Sequence, residues 1–289
     1  MCGAIVKPRI VLYCDEVSPG NQLRHEATRK VQILYWGIKC APGMSVDQLW
    51  FTLGLARSSI VNKLVGGMSG YVKKALQLFF SPINMHMGVQ LRVGDEVHIK
   101  FAKLAMFLAD EVALKEVFNF RGASGILFCP LCLNLVSESS NLHRCGDRSL
   151  VPSTSCEKTN WVRAGDKTIL AKLRKLRQSH GTVSKAAFED LEKKLGWSYN
   201  PFGILGDGSA SPEHGIKVEG MLQFDYMHTL LVHGVWNIEV GALVDLLKRQ
   251  CKIQQSEIHS FFAGFCWPAS SASRSVTGQN IFRKNRRML

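Results

Sequence analysis

Two aspartates stand where two apolar segments run out. Asp15 lies near the end of "RIVLYCDEV" (9–17), and Asp110 ends "IKFAKLAMFLAD". If both segments are strands of one sheet, the two carboxylates converge. Paired carboxylates bind Mg²⁺ or Mn²⁺, because hard cations take charged oxygen ligands. Two such ions activate a water or a 3′-hydroxyl and stabilise the leaving oxygen at a phosphodiester. The plain alternative is that strands end in acids because loops are polar. Glu239, within "GVWNIEVGAL", is the candidate third carboxylate. Its apolar neighbours leave open whether it faces a site or points outward.

A second constellation is Cys129-Pro-Leu-Cys132, about twenty residues after Asp110. A thioredoxin-type dithiol needs a strand directly before it and a helix directly after. Here a Ser- and Asn-rich stretch follows, which favours half of a structural zinc site, and buried structural thiols are the alternative. Zinc needs further ligands. His143 and Cys145 are the local candidates, and His214 and His228 the distant ones. Asp225-x-x-His228 opens a helical segment, where the acid can cap the helix or share a metal with the histidine. Lys172, Arg174, Lys175 and Arg177 alternate with Leu173 and Leu176. The leucines face a core, and the cations form either a solvated stripe or a phosphate-contacting one.

These residues need a scaffold. Residues 9–17 read as a strand buried on both faces. Residues 30–38 alternate and predict a second strand, antiparallel to the first. The segment from Ser45 to Leu64 reads as helical, with a strand-like middle; residues 69–82 predict an amphipathic helix stopped by Pro82. A hairpin is expected around Val93-Gly-Asp95, followed by the strand that ends at Asp110. Residues 137–166 look irregular. Two helices broken near Gly181 come next, the second capped by Thr182 or Ser184, and a strand-like start leads into a long helix after residue 221. The order predicts an α/β domain with a mixed sheet.

The chain has 289 residues with 36 Lys+Arg against 23 Asp+Glu, a net charge of +13. That excess favours a polyanionic partner, nucleic acid first. No apolar run reaches about 18 residues and no secretory leader is evident, so no membrane association is expected. Nine cysteines without a framework spacing point to a reducing compartment.

Taken in order, the motifs resemble the eukaryotic cut-and-paste DDE transposases of the CACTA/hAT type. The resemblance rests on Asp15 in "YCDEVSPGN", on "Asp110-Glu-Val-Ala-Leu" with "Arg121-Gly-Ala-Ser-Gly" and Cys129-x-x-Cys132, and on Asp225-x-x-His228. It covers about residues 9–245. It implies an RNase H-like mixed sheet flanked by helices, with an irregular, helical, zinc-containing insertion. It also implies strand cleavage and transfer on DNA with two Mg²⁺ or Mn²⁺ ions, in the nucleus. Asp15 and Asp110 would hold those ions, with Glu239 the best third acid. Cys129 and Cys132, with His228 and His214, would hold a structural Zn²⁺; His143 and Cys145 are the alternatives.

The implied layout is core at 1–128, insertion at 129–220, a completing core helix at 221–262 and a disordered basic tail at 263–289. A homo-oligomer is compatible with it. Departures from the family pattern are the insecure third acid, the unclear element at Glu213-His214, and the lack of a DNA-binding segment before residue 9. They predict a truncated or domesticated copy, in which binding can outlast catalysis. A non-catalytic nucleic-acid-binding zinc protein is the second reading, and a thiol oxidoreductase the third.

Overall fold

Ile10, Val11 and Leu12 are buried in succession, which requires cover on both sides of their strand. That strand is β1 (Arg9–Val17), the middle of a five-stranded mixed sheet. The computed structural model describes residues 8–18, 30–39, 49–80, 89–100, 102–147, 149–155, 157–206, 216–232 and 235–264. The chain divides into two compact units, Met1–Asp225 and Tyr226–Leu289.

The first unit opens with β1, β2 (Val31–Ile38) and β3 (Phe51–Arg57), followed by α1 (Ser58–Val61) and α2 (Gly67–Phe80). A hairpin of β4 (Val89–Val93) and β5 (Glu96–Lys100) turns at Gly94 and Asp95, with Gly94 at φ +62°. β6 (Lys103–Ala109) leads into α3 (Glu111–Phe118). Two short strands, β7 (Leu135–Val136) and β8 (Val151–Pro152), tie the irregular stretch together. Next come α4 (Asp166–Ser179), α5 (Lys185–Leu195), α6 (Val218–Met221) and β9 (Leu222–Phe224). In the second unit a π-helical turn (His228–Val232) precedes α7 (Val235–Gln250) and α8 (Gln255–Gly264).

The sheet order is β3-β2-β1-β6-β9. β1 pairs antiparallel with β2, and β2 antiparallel with β3. On its other side β1 pairs parallel with β6, and β6 parallel with β9. The carboxyl ends of β1, β6 and β9 therefore share one edge of the sheet.

The core forms where Ile10, Leu12, Cys14 and Phe107 meet Val72 and Leu76 of α2 and Leu114, Val117 and Phe118 of α3. Phe107 and Phe118 meet edge to face at 5.4 Å. Each fully buried large apolar side chain contributes roughly 1.5–3 kcal/mol. The same core runs on through Ile169, Leu173 and Leu176 of α4 and through Trp197, Ile204 and Met221. The 129–220 segment thus shares the sheet's core. Its own cluster is small: Cys132, Leu135 and Val151, backed by Phe128, Cys129 and Trp161.

Two expectations shift. The segment expected as helical with a strand-like middle is, where described, a strand over Phe51–Arg57 followed by a short helix, Ser58–Val61; Ser45 itself lies outside the described residues. Gly54 explains part of this. A Cβ there would lie 2.5 Å from the Tyr71 hydroxyl, so glycine is kept for close approach to α2, and glycine weakens a helix. α8 runs to Gly264, two residues into the segment expected as a tail; residues 265–289 lie outside the described set. Among the described residues, no helix is long and apolar enough to cross a membrane.

Candidate active site

Register places the acids. Tyr13 lies opposite Leu108 across β1 and β6, and Ala109 lies opposite Phe224 across β6 and β9. Asp15 is two residues beyond Tyr13, and Asp110 two beyond Leu108. Asp225 follows Phe224 as Asp110 follows Ala109. Asp225 also continues the ladder, its N–H donating to the Ala109 carbonyl at 2.8 Å. Neighbouring strands lie about 4.8 Å apart, so the three aspartates form a row roughly 10 Å long on one sheet edge. Strand alternation puts Asp15 on the same face as Tyr13. The Tyr13 hydroxyl crosses β6 to donate a long hydrogen bond, 3.5 Å, to Asp225 Oδ2.

The electrostatics are one-sided. Burial first, then the charges of Asp15, Asp225 and Asp110, push the Tyr13 phenol far above its usual ionisation range, so it stays a donor. Cys14, on the opposite face of β1, is pushed up by burial and then by Asp15, Asp110, Glu116 and Glu16. The charges that act most on these two neighbouring groups are carboxylates. Aromatic rings wall the same region: Tyr13 stacks on Tyr35 at 6.2 Å and meets Trp50 edge-on at 6.0 Å.

The donor chemistry suits a hard divalent cation: carboxylate oxygens at adjacent strand ends. The carboxylates stand in line and are not gathered around one point. Among the described residues no group of three or more His, Cys, Asp or Glu side chains is placed to hold a metal ion. Asp110 has a structural task as well. Its Oδ1 accepts the Ala113 N–H at 2.7 Å and caps α3, which leaves Oδ2 for a ligand. Glu239, the expected third acid, is exposed on α7 in the second unit.

The residue missed from sequence is Asp225 as an acid of this row. The available signal was "MLQFD", an apolar run ending in an acid, like "AMFLAD". A three-residue strand shows no alternation that would fix its neighbour or register, so its strand-like start does not place Asp225 beside Asp110.

The cysteine pair does come together. Cys132 is buried and Cys129 half-buried, and neither is in a disulfide. Burial first, then Cys129, push the Cys132 thiol up to about 12, with Arg163 opposing. Lys172 lies by Cys129: burial pulls its ammonium down, and the cysteine acts the other way. Lys172 is therefore half-buried, while Arg174, Lys175 and Arg177 are exposed and Leu173 and Leu176 are buried. Of the other zinc candidates, Cys145 is exposed, with its Sγ 3.9 Å from the Asn141 carbonyl. His228 belongs to the second unit. His214 and the side chain of His143 lie outside the described residues.

No protein family matches the chain, and no curated protein matches it either.

Proposed function

We propose that the chain is the core of a DDE-type DNA strand-transfer protein, RNase H-like in fold, acting on DNA in the nucleus. Strand order and direction support it: three antiparallel strands, then two strands parallel to the first. The observation that carries the reading is the alignment of Asp15 and Asp110 at the ends of adjacent parallel strands, beside Tyr13 and Cys14, which burial and neighbouring carboxylates hold in their neutral forms. Asp15 and Asp110 hold Mg²⁺ or Mn²⁺. When bound, such ions activate the attacking hydroxyl and stabilise the leaving oxygen of a phosphodiester. Arg174, Lys175 and Arg177 offer phosphate contacts on the exposed side of α4. Cys129 and Cys132 are half of a structural zinc site, completed from His214, His143 or Cys145.

Asp110→Asn is the direct test. Asparagine keeps an acceptor for the α3 cap and removes the charge, so the fold is retained. Mn²⁺-dependent nicking of duplex DNA is expected in the wild type and is lost in this variant. Equal nicking by both proteins sinks the assignment of Asp110.

The second reading is a DNA-binding protein without catalysis. It is favoured by the lack of a gathered three-ligand group among the described residues and by the exposure of Glu239. Under it, Mn²⁺ elicits no nicking while DNA affinity persists.

Zinc is tested by metal content. One zinc per chain is expected, lost when both Cys129 and Cys132 are changed to serine. Absence of zinc from the purified protein, or its retention in that variant, removes the zinc claim.

A further inference from the structure

The hairpin of β4 and β5 is a two-stranded sheet by itself, separate from the five-stranded one. Two strands alone are marginal in water. Its apolar side chains are also wet: Val93 is 64% exposed, and Val97 and Ile99 are 56% exposed each. Among the described residues, no strand pairs with the outer edge of β5. We propose that this edge pairs with the same edge of a second copy of the chain. β5 runs antiparallel to β5 of the copy about a two-fold axis, and the two hairpins form one four-stranded sheet.

Backbone register supports this pairing. Gly94 has φ +62° and Asp95 has no positive φ, the pattern of a two-residue type II′ turn. Such a turn closes on a hydrogen-bonded pair, here Val93 with Glu96. Alternation along the ladder then turns the backbone groups of Glu96, His98 and Lys100 toward β4. Those of Val97 and Ile99 turn outward. An antiparallel copy of β5 satisfies both outward residues in one register, with Val97 opposite Ile99 of the copy and Ile99 opposite its Val97. His98 then meets His98 of the copy on the axis.

Charge supports the same register. β5 reads Glu-Val-His-Ile-Lys, acidic at one end and basic at the other. Such a strand is complementary to an antiparallel copy of itself. Glu96 stands opposite Lys100 of the copy, and symmetry repeats the pair at the other end. Both are non-hydrogen-bonded pairs, where facing positions lie closest, and opposite charges facing across strands stabilise pairing. Val97 and Ile99 of the two chains line up on the other face as one apolar strip. The outer edge of β4, Val-Gln-Leu-Arg-Val, lacks this complementarity, because an antiparallel copy sets Arg92 against Gln90. β5 also carries neither proline nor bulge, the devices that keep sheet edges apart. Nucleic acid suits the hairpin less, since its tip presents Asp95 and Glu96. The ladder is short, so the association is reversible and depends on concentration.

The test is sedimentation of the full chain over a concentration series, at physiological salt and without DNA or added metal. The wild type, Glu96→Lys, Lys100→Glu and an equal mixture of the two variants are compared, and thermal melting checks that each is folded. The wild type is expected to shift from monomer toward dimer as concentration rises. Each variant alone sets like charges opposite one another at both ends of the ladder, which is expected to weaken association about tenfold. Glu96 Oε2 also lies 3.3 Å from His98 Nε2 of its own strand, so Glu96→Lys alters a contact within the chain as well. The mixture separates the two effects. One variant facing the other regains opposite charges at both positions, and the mixture is expected to form a heterodimer about as strong as the wild-type dimer.

A wild type that stays monomeric up to its solubility limit overturns the proposal. So do single variants that associate as the wild type does, or a mixture of folded variants that stays monomeric. Unchanged sedimentation with altered DNA affinity in both variants gives the hairpin to nucleic acid and overturns it too.

Discussion

Ser69 has no exposed surface, yet its hydroxyl is used twice. It donates to the Val117 carbonyl at the end of α3 and accepts the Ile204 N–H at 2.9 Å. One side chain on α2 therefore fastens the end of α3 to the 200-loop. Removing it leaves a buried N–H and a buried C=O without this partner, at a cost of about 1–3 kcal/mol. Ser69→Ala should lower the urea midpoint accordingly, with no change in slope. Two carboxyls titrate in opposite senses. Burial raises Glu16, but hydrogen bonds from Lys30, Ser58 and Gln32 and the Lys30 charge outweigh it, so its net shift is downward. A depressed folded value contributes stability above the usual carboxylate range and loses it as pH falls through the folded value. Glu116 is raised by burial and then by Glu16 and Asp110, against Lys115. Its charge opposes folding at neutral pH, and protonation relieves that. Glu116→Gln should therefore raise the melting temperature at pH 7 and leave it unchanged well below the carboxylate range. A thermal-melt series over pH checks both the sign and the window; a gain that persists in acid refutes the assignment to Glu116.

At the scale of elements, α5 shows how much local sequence specifies. Ser184 caps its start, its Oγ accepting the Ala187 N–H, and Gly196 ends it at φ +77°. The start was legible as Thr182 or Ser184, because a capping hydroxyl is a local device. The glycine also has a tertiary reason that no local pattern carries. A Cβ at residue 196 would lie 2.1 Å from the Leu127 carbonyl oxygen, which is backbone and cannot swing aside. Gly196→Ala combines left-handed strain of roughly 1–2 kcal/mol with that clash. It should destabilise by more than the strain alone, and a loss below about 1 kcal/mol in chemical denaturation contradicts the predicted clash. The hairpin turn at Gly94-Asp95 and the pairing of β1 with β2 were legible for the same local reasons. β3 was legible only as the strand-like middle of a helical pattern, since its pairing with β2 decides between the two. Asp225 was hidden by the shortness of β9. The parallel pairing that aligns it with Asp110 joins segments more than a hundred residues apart, and sequence spacing does not encode register over that distance.

For the molecule as a whole, the +13 charge and the acidic edge pull in different directions. A polyanion is attracted by the net charge but repelled at the row of Asp15, Asp110 and Asp225, unless cations stand between the row and the backbone. Affinity for DNA and action on DNA should therefore separate in experiment. Binding should weaken with salt, because each neutralised phosphate releases counterions, with a slope of about −0.9 per contact in log K against log salt. Arg174, Lys175 and Arg177 lie on the exposed side of α4, while Leu173 and Leu176 anchor the helix in the core. Changing all three cations to alanine should then keep the fold and flatten that slope by roughly 2–3 contacts. Asp110→Asn should leave the slope near the wild type and raise affinity in metal-free buffer, since it removes one repelling charge from the edge and none from the stripe. An unchanged slope in the triple variant would mean that the stripe is an ordinary solvated helix face and that the charge excess acts elsewhere on the chain. A flattened slope in the triple variant, together with loss of nicking only in Asp110→Asn, would assign DNA holding to α4 and the reaction to the sheet edge.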